Sequence, residues 1–243
     1  MKLDVYNPFS NTVVKKLDFQ EDVRDLFDSV NKREAWPLHQ RIQAFKALIP
    51  ALSKQRKNII ATAISEGGKP FQDTEIEFNR ALNGVELCIN EMMQSLGAII
   101  PMGLNEDSHS YRAFSQREPL GLVLAISAFN HPINLFVHQV LPSLAAGCAV
   151  IYKPALTTPS VSKIWIDLLH EVGVPEAYLQ YLLVPNEQMQ EIIQNNNMDL
   201  INFIGSDAIG WQIRSWARPG TRVLLEHGGI AGAVLDQGSP TTL

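Results

Sequence analysis

The chain has 243 residues, 46% hydrophobic and 19% charged, with a formal net charge of -5 at pH 7. That is enough apolar sequence to bury one large core or two small ones, and the signs are too mixed to make the basic stripe that a polyanion requires, which argues against a nucleic-acid partner. No apolar run approaches the ~20 residues of a membrane span, and the start "MKLDVYNPFSNTVVKK" lacks an apolar core followed by a cleavage site, so a cytoplasmic protein without a membrane partner is expected.

From residue 18 to about 97 the apolar spacing is helical. Val23, Leu26, Phe27 and Val30 form one stripe. Ile42, Phe45, Leu48, Ile49 and Leu52 form a second, after Pro37 at a first-turn position, and Pro50 inside it is expected to kink or break the helix. Ile59, Ile60, Ala63 and Ile64 form a third that stops at Gly67 and Gly68, and a fourth runs from Thr74 to Leu96. "IIPMGLNEDSHSYRAFSQREP" then reads as two short strands around a polar tip, a hairpin projecting over 100–118, with a plain surface loop as the alternative.

Beyond residue 119 strands and helices alternate. "LGLVLAISAF", "CAVIYKP", "YLQYLLVP", "DLINFIG", "RVLLE" and "GAVLD" are strand candidates, with helices in "HPINLFVHQVLPSLAAG", "TPSVSKIWIDLLHEVG", "NEQMQEIIQNN" and "SDAIGWQIRSWA" between them. Nearly continuous apolar strands separated by helices predict a parallel sheet covered on both faces. The expected fold class is therefore α/β, a doubly wound Rossmann-like sheet over 119–243, preceded by a helical region over 1–99 and the hairpin. Ligands on such sheets bind beyond the carboxyl ends of the strands. The two cysteines have neither disulfide nor metal spacing: Cys88 lies on a helical stripe and Cys148 opens an apolar run, and both read as core thiols.

The residues at those strand ends are "FNHP", "KPALTTP", "IGSDAIG" and "EHGG". In this order and spacing, with "YNPFSNTVV", "EPLGLVLAISAFNHPINL" and "LPSLAAGCAVIYKPA" around them, the chain resembles the aldehyde dehydrogenase superfamily along its whole length. On its own Asn130 reads equally well as a helix cap. The resemblance makes its amide the donor to the oxyanion formed when a thiolate attacks an aldehyde, a task suited to a fixed neutral dipole. It also places Ile126 and Phe129, at the end of the same strand and in its loop, beside a bound NAD or NADP.

Lys153 is either a snorkelling strand-end lysine or, by the resemblance, the contact to the coenzyme's adenosine ribose. Three residues on, Leu156 stands where family members preferring NAD often have a glutamate, so weaker discrimination against NADP is expected. Phe203, Gly205 and Ser206 match the family's turn where pyrophosphate rests on a helix start, and Ile209 matches a residue near the adenine. Read alone, that turn is no GxGxxG fingerprint, and a serine there is usually an N-cap.

Glu226 corresponds to the family's general base, and at the edge of an apolar strand it is expected to be desolvated; a surface glutamate before a turn is the plain alternative. His227 either contacts the nicotinamide side or faces solvent, and Gly228 with Gly229 lets the backbone turn close to the ring. Phe136 is the visible candidate for lining the aldehyde's tunnel.

The family's nucleophilic cysteine lies some dozens of residues beyond this glutamate, past Leu243. The resemblance therefore implies the coenzyme-binding half of an NAD(P)-dependent aldehyde dehydrogenase, inactive alone, that acts on a small aldehyde when joined to a catalytic half. The competing reading is a dinucleotide-binding or oligomerisation module without catalysis. Both carry an exposed apolar flank beside the last strand, to be covered by a second copy in a homo-oligomer or by a complementary half.

Overall fold

The computed structural model describes residues 2–94 and 97–234. Two strands, β1 (Lys2–Asn7) and β2 (Thr12–Asp18), open the chain as an antiparallel hairpin. Asn7 Oδ1 closes its turn by accepting from the backbone of Phe9 and Ser10. Sequence periodicity missed it because only Val5 of the pair is buried, leaving no alternating stripe.

Three helices follow: α1 (Arg24–Asn31), α2 (Leu38–Gly67) and α3 (Phe71–Met92). The break expected at Pro50 does not occur, and the two stripes around it belong to one helix of 30 residues. Pro50 costs one backbone hydrogen bond. Phe45, Leu48 and Leu52 on one side of it and Ile59, Ile60 and Ala63 beyond it are all buried, so packing along the whole face overrides that loss. The stop at the two glycines is as expected: Gly68 takes the left-handed conformation, φ 66°, and its N–H returns to Ile64 O at 2.9 Å.

β3 (Gly97–Ile100) and β4 (Ala113–Gln116) form the projecting hairpin, slightly wider than the sequence suggested. A single 3-10 turn at its tip is fixed by a reciprocal bond pair between Asn105 and Ser108. Ile99, Leu104 and Phe114 are exposed on it.

The main sheet contains β5 (Leu122–Ile126), β6 (Ala149–Lys153), β7 (Leu179–Tyr181), β8 (Leu200–Ile204) and β9 (Arg222–Glu226). All are parallel, in the spatial order β7-β6-β5-β8-β9. Every residue of β5 and β6 is buried, as a sheet covered on both faces requires. The connecting helices are α4 (Pro132–Ala145), α5 (Pro159–Glu171), α6 (Met189–Asn195) and α7 (Asp207–Trp216). α4 packs on α5, with α2 and α3 outside them, and α6 packs on α7. "GAVLD" forms no strand over 232–234, and its last two residues lie outside the described residues.

The strand order fixes where a ligand can enter. From β5 the chain winds outward to β7, then restarts at β8 and winds the other way to β9. Loops leaving β5 and β8 therefore diverge to opposite faces and open a crevice at the carboxyl edge between them. Gln139 of α4 braces this junction by donating to Ile126 O at 3.0 Å and to Asn202 O at 3.1 Å.

Candidate functional site at the switch point

A cleft of about 430 Å³ occupies that crevice. Ile126, Phe129, Lys153, Phe203, Gly205, Ser206 and Ile209, picked out from the sequence, all line it. Asn130, Glu226, His227 and Gly228 do not. A larger hollow of about 520 Å³ lies among α2, α3, the end of α4 and the hairpin's exit, towards the amino ends of β5 and β6. Among the described residues no loop from the carboxyl end of a main-sheet strand lines it, so the cleft is the stronger functional candidate.

The β8–α7 turn leaves the start of α7 open. Ser206 is extended, φ -71° and ψ 149°, and its side chain makes no capping bond. Ser206 is thus the N-cap residue by position, as the plain alternative had it, but its hydroxyl is not spent on capping, and the helix start lies in an exposed segment. Asp207 takes one of the first-turn amides, accepting from Ala208 N at 2.8 Å. A side chain at Gly205 would put its Cβ 2.5 Å from the Phe203 ring, so the glycine is what lets that ring fold back into the cleft wall. Gly205 N donates to Glu226 O at 3.0 Å, tying the ends of β8 and β9 together.

Lys153 does not snorkel. It is 4% exposed, and its Nζ donates to Asn186 Oδ1 at 2.5 Å. Burial pulls the ammonium down to about 8, with attraction from Glu187 opposing. Among the described residues that wall the cleft, Lys153 alone carries a charge. Asn186, on the loop beyond β7, is a site residue that sequence reasoning missed, although the strand-end rule that found the others points to this loop as well.

Asn130 is exposed in the β5–α4 loop, and the cap of α4 is His131 rather than Asn130. The amides at the helix start are taken by a distant residue: Glu77 Oε1, on α3, accepts from Ile133 N at 2.8 Å and Asn134 N at 2.9 Å. Lys69 pairs with Glu77 Oε2 at 2.8 Å and lies 2.6 Å from His131 Nδ1. Asn130 is thus relieved of capping. Glu66, on α2, does the same for α5 by accepting from Ser160 N at 3.0 Å, and burial pushes its carboxyl upward.

Glu226 ends β9 in register with Ile204. The desolvation expected for it is absent: β9 is the edge of the sheet and the Glu226 side chain is exposed. The apolar flank expected there is present among the described residues, with Leu224 56% exposed and Trp211 on α7 59%. The His227 ring turns onto α7, 5.7 Å from the Trp211 ring and against Gly210, and Gly228 is exposed. Phe136 is no tunnel residue. It is fully buried, edge-on to Tyr152 at 4.9 Å, because its helix turns that face into the sheet. Cys88 and Cys148 are buried, and burial pushes the Cys88 thiol up to about 11.

The sequence profile of the aldehyde dehydrogenase family matches residues 1–238. The chain belongs to that family. The 3-sulfolactaldehyde dehydrogenase of Priestia aryabhattai is 31% identical over 225 residues, 89% of this chain and 46% of its own length. Lactaldehyde dehydrogenase of Methanocaldococcus jannaschii is 26% identical over 239 residues, covering 94% and 50%. The chain spans about half the length of these relatives. Among solved structures, aldehyde dehydrogenase 21 of Physcomitrella patens, in complex with succinate, superposes with a TM-score of 0.88 at 27% identity, over 94% of this chain and 49% of its own. The glyceraldehyde-3-phosphate dehydrogenase of M. jannaschii, complexed with NADP, gives 0.86 at 25%, over 94% and 51%.

Proposed function

We propose that residues 1–243 are the coenzyme-binding part of an NAD(P)-dependent aldehyde dehydrogenase that oxidises a small aldehyde to a carboxylic acid. The observation that carries this reading is the cleft itself, where an open helix start and one buried cation meet at the switch point of a parallel sheet. The residues fit a dinucleotide: Gly205 keeps the Phe203 ring in the wall, the α7 amides and Ser206 receive the pyrophosphate, and Lys153 reaches the adenosine ribose. Ile126, Phe129 and Ile209 supply apolar wall. When bound, the nicotinamide supplies a hydride acceptor. His227 and Gly228 bear on its side of the site only after the segment beyond β9 moves in from the α7 surface.

In this reading Asn130 donates its amide hydrogen to the developing oxyanion, and Glu226 takes the proton of the attacking water. The nucleophilic cysteine comes from outside residues 1–243, since both thiols here are buried away from the cleft. Covering the β9 flank with that catalytic part would also desolvate Glu226. The exposed apolar residues of the β3–β4 hairpin suit subunit contact in a homo-oligomer, and the proposed division is 1–99, 100–118 and 119–243. No helix among the described residues is long and apolar enough to cross a membrane; a cytoplasmic location is part of the proposal. The exposed Glu226 and buried thiols also favour a second reading, a dinucleotide-binding or oligomerisation module without catalysis.

Steady-state kinetics of the full-length polypeptide separate the two. Asn130→Ala is expected to lower kcat by about 10²–10³-fold, as for loss of one oxyanion donor, with the KM for coenzyme unchanged. An unchanged kcat would remove Asn130 from the mechanism. Aldehyde oxidation absent from the full-length polypeptide would favour the binding module.

A further inference from the structure

We infer that Lys69 is a positioning residue for the aldehyde site: its ammonium holds the His131 ring in the tautomer with hydrogen on Nε2, so that the side chain next to Asn130 offers the substrate a neutral hydrogen-bond donor and not a base. The substrate class that such a donor suits is an aldehyde with an oxygen acceptor close to its carbonyl. The tautomer follows from the contacts of Lys69; the substrate role rests on the function proposed above.

Lys69 sits in the short link between α2 and α3, between Gly68, which ends one helix, and Pro70, which precedes the other. Only 18% of its side chain is exposed, so the ammonium is confined to the partners it meets there. Nζ donates to Glu77 Oε2 at 2.8 Å and lies 2.6 Å from His131 Nδ1. An ammonium has hydrogens and no lone pair, so in the second contact Nδ1 is the acceptor. The ring's hydrogen is then on Nε2, because the bond made at one nitrogen decides what the other carries. A hydrogen on Nδ1 would point straight at those of the ammonium.

The neighbouring carboxylate shows what Lys69 prevents. Glu77 Oε2 lies 3.6 Å from Nδ1, and Glu77 is held in place by the Ile133 and Asn134 amides on its other oxygen. With no ammonium between them, this acceptor would draw a hydrogen onto Nδ1 and leave Nε2 bare. Donor or base at the far side of the ring is thus decided on the near side. At the far side the ring is open: the His131 side chain is 44% exposed, and Nε2 has no partner among the described residues. His131 follows Asn130 in the β5–α4 loop. Adjacent residues are ~3.8 Å apart, so a donor one residue on from the amide that takes the carbonyl oxygen suits an acceptor about one or two carbons along the substrate.

Isotope labelling of the ring nitrogens of the six histidines in residues 1–243 reads the tautomer by NMR, since a nitrogen with a lone pair and one with a hydrogen resonate apart. The signals missing from His131→Phe assign the ring. Wild type is expected to show a bare Nδ1 and a hydrogen on Nε2, and Lys69→Met the reverse. In the full-length polypeptide the readout is the ratio of kcat/KM for a 2-hydroxyaldehyde to that for the unsubstituted aldehyde of the same length, which a purely structural lysine would not move. That ratio should fall about three- to tenfold in Lys69→Met and in His131→Phe, the range of one neutral hydrogen bond. Combining the two should lower it no further. A bare Nε2 in wild type would overturn the inference, and that arm needs no variant of Lys69 to fold. A tautomer that survives Lys69→Met would remove Lys69 as its cause, and a ratio unchanged in His131→Phe would remove the substrate role. Oxidation of neither aldehyde would overturn the proposed function and this substrate role together, while the wild-type tautomer still decides what Lys69 does.

Discussion

Replacing Glu77 with alanine is expected to destabilise the chain by about 3–5 kcal/mol, the cost of breaking a buried ion pair by removing one partner. Glu77 is 2% exposed and serves two duties at once, pairing with Lys69 and accepting the Ile133 and Asn134 amides. Alanine leaves two helix-start amides without partners and the Lys69 ammonium without its counter-charge, with only His131 Nδ1 beside it, in a packed interface between α3 and α4. Glu77→Gln keeps one oxygen for the amides and loses the ion pair, so its effect should fall between wild type and alanine. Urea unfolding measures both. A loss under about 1 kcal/mol for alanine would mean that water replaces the carboxylate and that the capping bonds contribute little. The same substitution frees the β5–α4 loop, so the position of Asn130 should depend on a residue 53 places earlier in the chain.

Lys153→Met is expected to stabilise the chain at neutral pH while weakening coenzyme binding. The unfolded chain keeps Lys153 protonated up to 10.5, whereas the folded chain does so only up to about 8. Between these values the unfolded state holds the extra proton, so this group's contribution to stability rises with pH across that window and is flat below it. The whole change is about 3 kcal/mol at 1.4 kcal/mol per pH unit. Cys88 acts in the opposite sense above its ordinary 9.0, because burial pushes its thiol up to about 11. Comparing wild type with Lys153→Met at each pH cancels that contribution. The methionine variant's advantage should be largest at pH 7 and shrink as pH rises from 8 towards 10. An advantage independent of pH would mean that the folded chain holds the Lys153 proton as tightly as the unfolded chain does, so that burial does not penalise the ammonium. A buried cation that lowers stability and raises ligand affinity is the pattern expected of a binding residue, not of a structural one.

Much of the fold was legible because burial leaves periodic marks. The fully buried β5 and β6 read as unbroken apolar runs, and the strand-helix alternation gave the doubly wound sheet. The β1–β2 hairpin escaped because it buries almost nothing, and α2 was divided because Pro50 is a local signal while the packing that overrides it is tertiary. The cleft was half legible. The strand-end rule pointed to the loops and the family resemblance singled out seven of the wall residues in or beside them, but Asn186 was read only as a helix start. Glu77 left a trace that went unread, a charge on the buried stripe of Thr74, Phe78 and Ala81. What the residue caps is a helix over 50 positions away, and one sequence does not contain that pairing. The exposure of Glu226 follows from β9 lying at the edge of the sheet, a fact of topology rather than of local pattern.

Amide hydrogen exchange of residues 1–243, with and without saturating NADP, tests the cleft most directly. Protection should rise in three segments, 127–131, 153–157 and 205–209, because loops from three parallel strands close on one ligand, and should stay unchanged in the hairpin strands at 97–100 and 113–116. Protection confined to the hollow at the opposite edge of the sheet, or no protection while NADP is bound, would contradict the assignment.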